Sequence, residues 1–229
     1  MATKRFVVVT GFWVNNASNE RLPELLADDF VACADSGYSI CVSAGYKPDI
    51  VIGDLDSLSK EQIEEIDKLG IEKIVYPAEK NETDTLLCVR YGISRGYDDF
   101  LIVGGIGGDF AHTLANLHVL SFLTDLECKS EIITDSERLL MVDGELVSAV
   151  HESRPAVPLV ISESPGTKFS VFSYAERSSG VYIKNAKYEL AETVLTQSYP
   201  LGVSNEFINN EPVTISLKYG RLLIIIQKA

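Results

Sequence analysis

Four aspartates stand where the chain leaves short apolar runs. Asp35 lies in Ala34-Asp35-Ser36-Gly37, Asp54 and Asp56 lie in Gly53-Asp54-Leu55-Asp56-Ser57, and Asp84 opens a helical stretch in Lys80-Asn81-Glu82-Thr83-Asp84. If the apolar runs are parallel strands, ligands bind beyond their carboxyl ends, and the spacing predicts that the four carboxylates converge on one edge. Carboxylates gathered there repel one another unless a cation neutralises them. Magnesium is the natural ion: it is hard, prefers oxygen, and is held by one or two carboxylates together with substrate phosphates. Each aspartate alone could equally be a turn or helix-cap residue. Their repetition at neighbouring strand ends is what points to a metal site.

A second feature is Gly104-Gly105-Ile106-Gly107-Gly108, between an apolar strand and a helix carrying His112 and Asn116 on one face. Glycine permits close backbone approach, and the free N–H groups of a helix start attract phosphate oxygens, so Gly104, Gly105, Gly107 and Gly108 form a candidate phosphate cradle. Tight turns need glycine too, and a hydrogen-bonded structural role for His112 is as consistent with the sequence as a ligand role. No G-x-x-x-x-G-K-[ST] loop is present.

The elements that must position these residues are readable as strands at Arg5 to Thr10, Phe30 to Ala34, Asp49 to Gly53, Glu72 to Tyr76, Phe100 to Val103 and Glu131 to Thr134. Helices are expected over Ser59 to Leu69, Thr83 to Arg95 and Ala111 to Leu123, the last with Leu114, Leu117 and Leu120 as its buried stripe. This alternation predicts an α/β domain with a parallel sheet of Rossmann-like type. After about Gly144, short alternating segments predict antiparallel strands at Pro158 to Ser162, Lys168 to Ser173, Gly180 to Lys184, Pro212 to Ser216 and Arg221 to Gln227, hence a small all-β sandwich or barrel. The boundary falls between 136 and 146, giving domains 1–140 and 141–229.

Composition narrows the class. At 229 residues and a formal net charge of −13, the chain is long enough for a substantial core and too acidic to bind a nucleic-acid backbone through a basic face. The apolar runs are too short to span a bilayer, and the first ten residues lack an export signal, so a cytoplasmic protein without membrane attachment is expected. Cys33, Cys41, Cys88 and Cys128 show no C-x-x-C spacing and are expected to be buried free thiols. His112, His118 and His151 form no zinc motif.

Taken in order, the segments around Asp35, Asp54 and Asp56, then Lys80 with Thr83-Asp84, the 104–116 loop and helix, and Gly202-Val203-Ser204-Asn205 resemble thiamine pyrophosphokinase. The likeness spans most of the chain, and its most specific piece is Gly-Asp-x-Asp-Ser followed downstream by Thr-Asp. It implies a nucleotide-binding α/β domain, a C-terminal β-sandwich, and a homodimer with active sites formed between subunits. It also implies diphosphate transfer from ATP to the hydroxyl of thiamine, with release of AMP. On this resemblance Asp54, Asp56 and Asp84 are catalytic metal ligands, and Asp35 holds a second ion or a metal-bound water. Lys80 is the candidate phosphate contact. Thr83, the loop glycines, His112 and Asn116 belong to the ATP site, while Ser204 and Asn205 contact thiamine, with Tyr188 and Tyr199 as candidate ring surfaces.

Three positions depart from the family pattern. Gly-Gly-Arg-x-Asp-His is usual where this chain has Gly107-Gly108-Asp109-Phe110-Ala111-His112, and Asn81 stands where aspartate is common. Asp109 cannot replace the missing acid at 111, because two residues along a helix turn a side chain by about 200°. Two other readings therefore stay open: a magnesium-dependent phosphoryl or nucleotidyl transferase acting on another small alcohol, or a nucleotide- or thiamine-binding protein without turnover.

Overall fold

The computed structural model of the chain describes residues 4–12, 22–23, 25–144 and 156–228; Met1, Ala2, Thr3 and His151 lie outside them, as does the start of the expected texture change beyond Gly144. Contacts divide the chain into two compact units, Met1–Asp135 and Ser136–Ala229.

Strands that are apolar at every position require cover on both faces, and the first unit provides it. Its strands are β1 (Phe6–Val9), β2 (Phe30–Ala34), β3 (Ile50–Gly53), β4 (Glu72–Val75), β5 (Asp99–Val103) and β6 (Lys129–Ile133). All pair in parallel, in the order β4-β3-β2-β1-β5-β6. On one face Val7, Val9, Cys33, Val51 and Leu101 pack with Tyr38 and Cys41 of helix α1 (Gly37–Ser43) and Ile66 of α2 (Lys60–Lys68). On the other, Gly92 of α3 (Asp84–Ser94) is pressed so closely to the sheet that a Cβ there would lie 2.7 Å from the Phe100 ring and 2.9 Å from that of Phe6. Helix α4 (Phe110–Asp125) packs beside α3 and β6.

Local sequence sets the helix ends. Ser59 and Gln62 form a reciprocal capping box on α2, and the Thr83 hydroxyl accepts from the Leu86 amide at the start of α3. The buried stripe of α4 differs from expectation: Asn116, Val119, Leu120 and Leu123 face inward, while Leu114 is exposed. An amide occupies an inward position because it has a specific partner, described below, and this rotates the apolar stripe away from the one the leucines suggest. The seven-residue helix α1 is an addition to the expected elements. Cys33, Cys41 and Cys88 are buried free thiols, whereas Cys128, just past the end of α4, is only partly covered. Among the described residues no helix is long and apolar enough to cross a membrane.

The second unit holds β7 (Glu137–Asp143), β8 (Leu159–Ile161), β9 (Lys168–Ser173), β10 (Arg177–Lys184), β11 (Leu190–Thr196), β12 (Asn205–Glu206), β13 (Val213–Ser216) and β14 (Arg221–Gln227). Antiparallel pairing links β12-β9-β14-β7 in one set and β11-β10-β13-β8 in another. Both contribute to one apolar core, Phe169, Val171 and Ile224 from the first and Val181, Val213 and Ile215 from the second. β7, β11 and β12 extend the expected strand set.

Among the described residues of this unit, one ion pair is buried on both sides. Arg221 and Asp143 face each other in the β14–β7 register, with Nε–Oδ1 at 2.6 Å and Nη2–Oδ2 at 2.7 Å, and each residue is less than a tenth exposed. Removing one partner strands the other charge in the interior. Arg221→Ala is therefore expected to cost about 3–5 kcal/mol, read as a lowered denaturant midpoint, with Arg221→Met/Asp143→Leu losing clearly less; equal midpoints for the wild type and Arg221→Ala would contradict this account.

Candidate active site

Strand order reverses on either side of β1, with β2 to one side and β5 to the other, and this opens a crevice beyond the carboxyl ends of these strands. A cleft of about 550 Å³ lies there, within the first unit. Asp35, Asp54, Asp56, Lys80, Thr83 and Asp84 line it, joined by Gly105, Gly107, His112 and Asn116 from the glycine loop and α4. Gly104 and Gly108 shape the loop without lining the cleft.

Asp35 immediately follows β2 and adopts a left-handed backbone, φ 45°, with its amide donating to the Ile52 carbonyl at 3.0 Å. Gly53, at the end of β3, is what lets the two strand ends come this close, since a Cβ there would sit 2.9 Å from that of Asp35. Asp35 is 7% exposed, and its buried Oδ1 has no hydrogen-bond partner. One carboxylate oxygen from each of Asp35, Asp54 and Asp84 lies within 4.8 Å of the others.

The cluster thus contains three of the four expected carboxylates. Leu55, between Asp54 and Asp56, takes φ 62° and turns its side chain into the core, which carries the chain out of the cluster before Asp56 is reached. Asp56 is exposed on the cleft wall, where its Oδ1 accepts from the Ser57 hydroxyl at 3.2 Å and its amide donates to Asp54 Oδ1 at 3.4 Å.

Lys80 sits among the carboxylates. Its Nζ is 3.1 Å from Asp54 Oδ2 and 3.1 Å from Asp84 Oδ1, and only 14% of the side chain is exposed. The Asp54 contact is a hydrogen bond; the Asp84 contact is an ion pair without hydrogen-bond alignment. The ammonium's bond holds the Asp54 carboxyl below its ordinary pKa, against an opposing effect of burial. Burial raises that of Asp84, with Lys80 opposing and the charges of Asp35 and Asp54 adding to the rise. For Lys80 itself burial favours the neutral amine, but the contacts with Asp84 and Asp54 outweigh it and the pKa is raised.

The glycine loop is held from within. Gly104, Gly105, Gly107 and Gly108 all have positive φ. The amides of Gly104, Gly105 and Gly107 donate to the Ile133 carbonyl, the Phe12 carbonyl and the Thr113 hydroxyl, so these three are committed to the loop's own shape. The Asn116 amide nitrogen, buried, donates to the Gly105 carbonyl at 2.7 Å, the bond that turns this residue inward on α4. Phe12 lies against the loop so tightly that a Cβ on Gly107 or Gly108 would come 2.8 or 2.5 Å from its ring. Asp109 caps α4, its carboxylate accepting from the Ala111 amide at 2.7 Å. His112 is exposed at the cleft rim.

Thr10, Phe12 and Thr113 were not singled out by sequence reasoning. Their signal is positional: Thr10 and Phe12 directly follow an apolar strand, and Thr113 lies one helical turn beyond the Asp109 cap.

In the second unit, Ser204 is exposed with φ 59°, and its amide donates to the Ser170 hydroxyl at 3.1 Å. Asn205 is buried. Its Oδ1 accepts from the amides of Tyr188 and Glu206, and its Nδ2 donates to the Tyr188 carbonyl at 2.7 Å, so the side chain fixes the Tyr188 backbone. The rings of Tyr188 and Tyr199 are largely exposed.

Comparison with known proteins gives consistent matches in both units. Residues 23–132 match the family model "Thiamin pyrophosphokinase, catalytic domain", and residues 159–222 match "Thiamin pyrophosphokinase, vitamin B1 binding domain". The thiamine pyrophosphokinase of Bacillus subtilis is 26% identical over 192 residues, covering 83% of this chain and 84% of that protein. The crystal structure of a Bacillus subtilis thiamine pyrophosphokinase superposes with a TM-score of 0.81 at 21% identity, covering 99% of this chain and 100% of that one. That of yeast thiamin pyrophosphokinase gives 0.78 at 15% identity, covering 99% and 87%. These two likenesses are of fold; the family models, matching the catalytic and vitamin-binding segments in order over most of the sequence, show that this chain belongs to the thiamine pyrophosphokinase family of diphosphotransferases.

Proposed function

We propose that this chain catalyses diphosphate transfer from ATP to the hydroxyl of thiamine, giving thiamine diphosphate and AMP, in the cleft at the carboxyl edge of the parallel sheet. The observation that carries the proposal is the trio Asp35, Asp54 and Asp84, with carboxylate oxygens within 4.8 Å of one another and the buried Asp35 Oδ1 unpartnered. An acceptor nine-tenths buried without a donor is costly, and an all-oxygen donor set of this kind fits magnesium. Asp35, Asp54 and Asp84 would hold the ion, with Asp56 on the cleft wall beside them. Bound there, magnesium supplies charge neutralisation for the phosphates, on which phosphoryl transfer largely depends.

The remaining work falls to the chain's own groups. The glycine loop, with Gly105 and Gly107 on the cleft wall beside Phe12, offers a low surface against which a triphosphate can lie, and its shape is held by Asn116 and Thr113. Thr83 orders the start of α3 and so fixes the direction of Asp84. Ala111 stands where the family pattern has an acid, and Asp109, on the cleft wall at the start of α4, uses its Oδ1 to cap the helix. The Rossmann-like character of the site rests on the strand-order reversal beside β1. We extend the proposal to the two units: the first, expected as 1–140 and ending at Asp135, for ATP and magnesium, and the second, expected as 141–229 and starting at Ser136, for thiamine and dimer formation. The vitamin B1 binding match over 159–222 supports this, since it contains Tyr188, Tyr199, Ser204 and Asn205. In that domain Ser204 offers an accessible hydroxyl, and Asn205 positions the Tyr188 segment. A homodimer that brings Ser204 of one protomer to the cleft of its partner, working in the cytoplasm, completes the reading.

Two variants test it. Asp54→Asn should leave the circular dichroism spectrum unchanged while lowering coupled formation of AMP and thiamine diphosphate by at least about 100-fold, the scale of losing a preorganised charge contact; near-normal rates would contradict the metal assignment. The products themselves discriminate the alternatives, since ADP would signal a simple kinase, pyrophosphate a nucleotidyl transferase, and nucleotide binding without products a silent protein. Asn116→Ala leaves the buried Gly105 carbonyl without its donor, at a cost of about 1–3 kcal/mol. Its effect should appear as a raised KM for ATP with thiamine's KM unchanged, and an unchanged KM for ATP would show that the loop is shaped without it.

A further inference from the structure

Lys80 lies against two of the three clustered carboxylates. Its ammonium contacts Asp54 Oδ2 and Asp84 Oδ1, each at 3.1 Å, and both residues belong to the three-carboxylate cluster. A single ammonium does not satisfy all three acids: Lys80 hydrogen-bonds Asp54 and only ion-pairs with Asp84, so Asp84 Oδ1 and Asp35 Oδ1 are both buried without a hydrogen-bond donor. The side chain is a flexible stem carrying a compact point charge, suited to exchanging one anionic partner for another. It projects from the segment between β4 and α3, four residues before Asp84, and so can pivot without disturbing the strands that carry Asp35 and Asp54.

We propose that Lys80 is a resident counter-cation that holds the acidic cluster together before nucleotide binds, competes with a divalent ion for Asp54 and Asp84, and releases them when a triphosphate offers its ammonium a new anionic partner. This rests on the magnesium reading above and deepens it. Divalent-ion binding without nucleotide is then weak by construction. The ion and the nucleotide assist each other's entry through one movable charge, and the assistance is reciprocal. A role for Lys80 as a fixed phosphate ligand requires no such competition, so the two ideas differ in what happens to metal affinity when the charge is removed.

The test is Mn²⁺ binding to the full chain without nucleotide, measured by calorimetry and by the loss of the free-ion paramagnetic resonance signal. Lys80→Met is expected to bind Mn²⁺ at least about fivefold more tightly than wild type, the lower end of usual coupling between sites. Lys80→Arg, which keeps the charge, should remain as weak as wild type. Adding Asp54→Asn to Lys80→Met should abolish the gain, which places it at this cluster. The rise in melting temperature caused by Mn²⁺ should be larger in Lys80→Met than in wild type, and Lys80→Gln provides the same comparison should the methionine variant fold poorly. Equal or weaker Mn²⁺ binding by the neutral variants would overturn the proposal. If wild type meanwhile binds Mn²⁺ in the presence of α,β-methylene ATP, only the competition fails. If no form binds Mn²⁺ with or without the nucleotide analogue, the metal-site reading fails and this inference with it.

Discussion

The mutual repulsion of three carboxylates forced together at a sheet edge is the constraint around which the catalytic unit is built. Oxygens of Asp35, Asp54 and Asp84 within 4.8 Å of one another repel by on the order of 3 kcal/mol per pair at the effective dielectric of a protein site. A cation in their midst turns this repulsion into attraction. Part of that positive charge is internal, the Lys80 ammonium beside Asp54 and Asp84, and it leaves the Asp35 oxygen without a partner.

The sheet imposes this convergence through backbone geometry. Asp35 can approach the end of β3 only because residue 53 is glycine, and it holds a left-handed conformation fixed by its amide's bond to Ile52. Leu55 works in the opposite sense: its left-handed turn and buried side chain carry Asp56 out of the trio. The glycine loop on the other side of β1 is likewise shaped by what it packs against, the Phe12 ring and the Asn116 amide. The amides of Gly104, Gly105 and Gly107 are bonded within this unit, so the loop's shape is set before any ligand arrives.

Much of this was legible in the sequence because parallel strands covered on both faces are written as unbroken apolar runs, and Asp35 and Asp54 follow two of those runs directly. The helices beginning at Ser59 and Thr83 were legible from their apolar spacing and the glycines that end them. What escaped was set by tertiary partners. The buried stripe of α4 was misread because Asn116 faces inward for a bond to Gly105, eleven positions away in the chain. Helix α1 is too short, and too rich in serine and glycine, to show a periodic stripe. The grouping of Asp35, Asp54 and Asp84 without Asp56 depends on one positive φ at Leu55, and the seat of Lys80 between two carboxylates depends on the path of a loop; neither leaves a periodic trace. Asn205 was identifiable as a polar residue at a turn, but not as one whose amide is spent on the Tyr188 backbone.

The most direct measurement is the anomalous scattering of Mn²⁺ in crystals of the protein grown with α,β-methylene ATP. The account predicts a peak within about 2.5 Å of carboxylate oxygens of Asp54 and Asp84, as expected for a hard cation on oxygen ligands, beside Asp35 and with the Lys80 ammonium moved off both carboxylates toward phosphate. A nucleotide bound in the cleft with no peak at these aspartates, or a peak elsewhere in the chain while Lys80 stays in place, would contradict it.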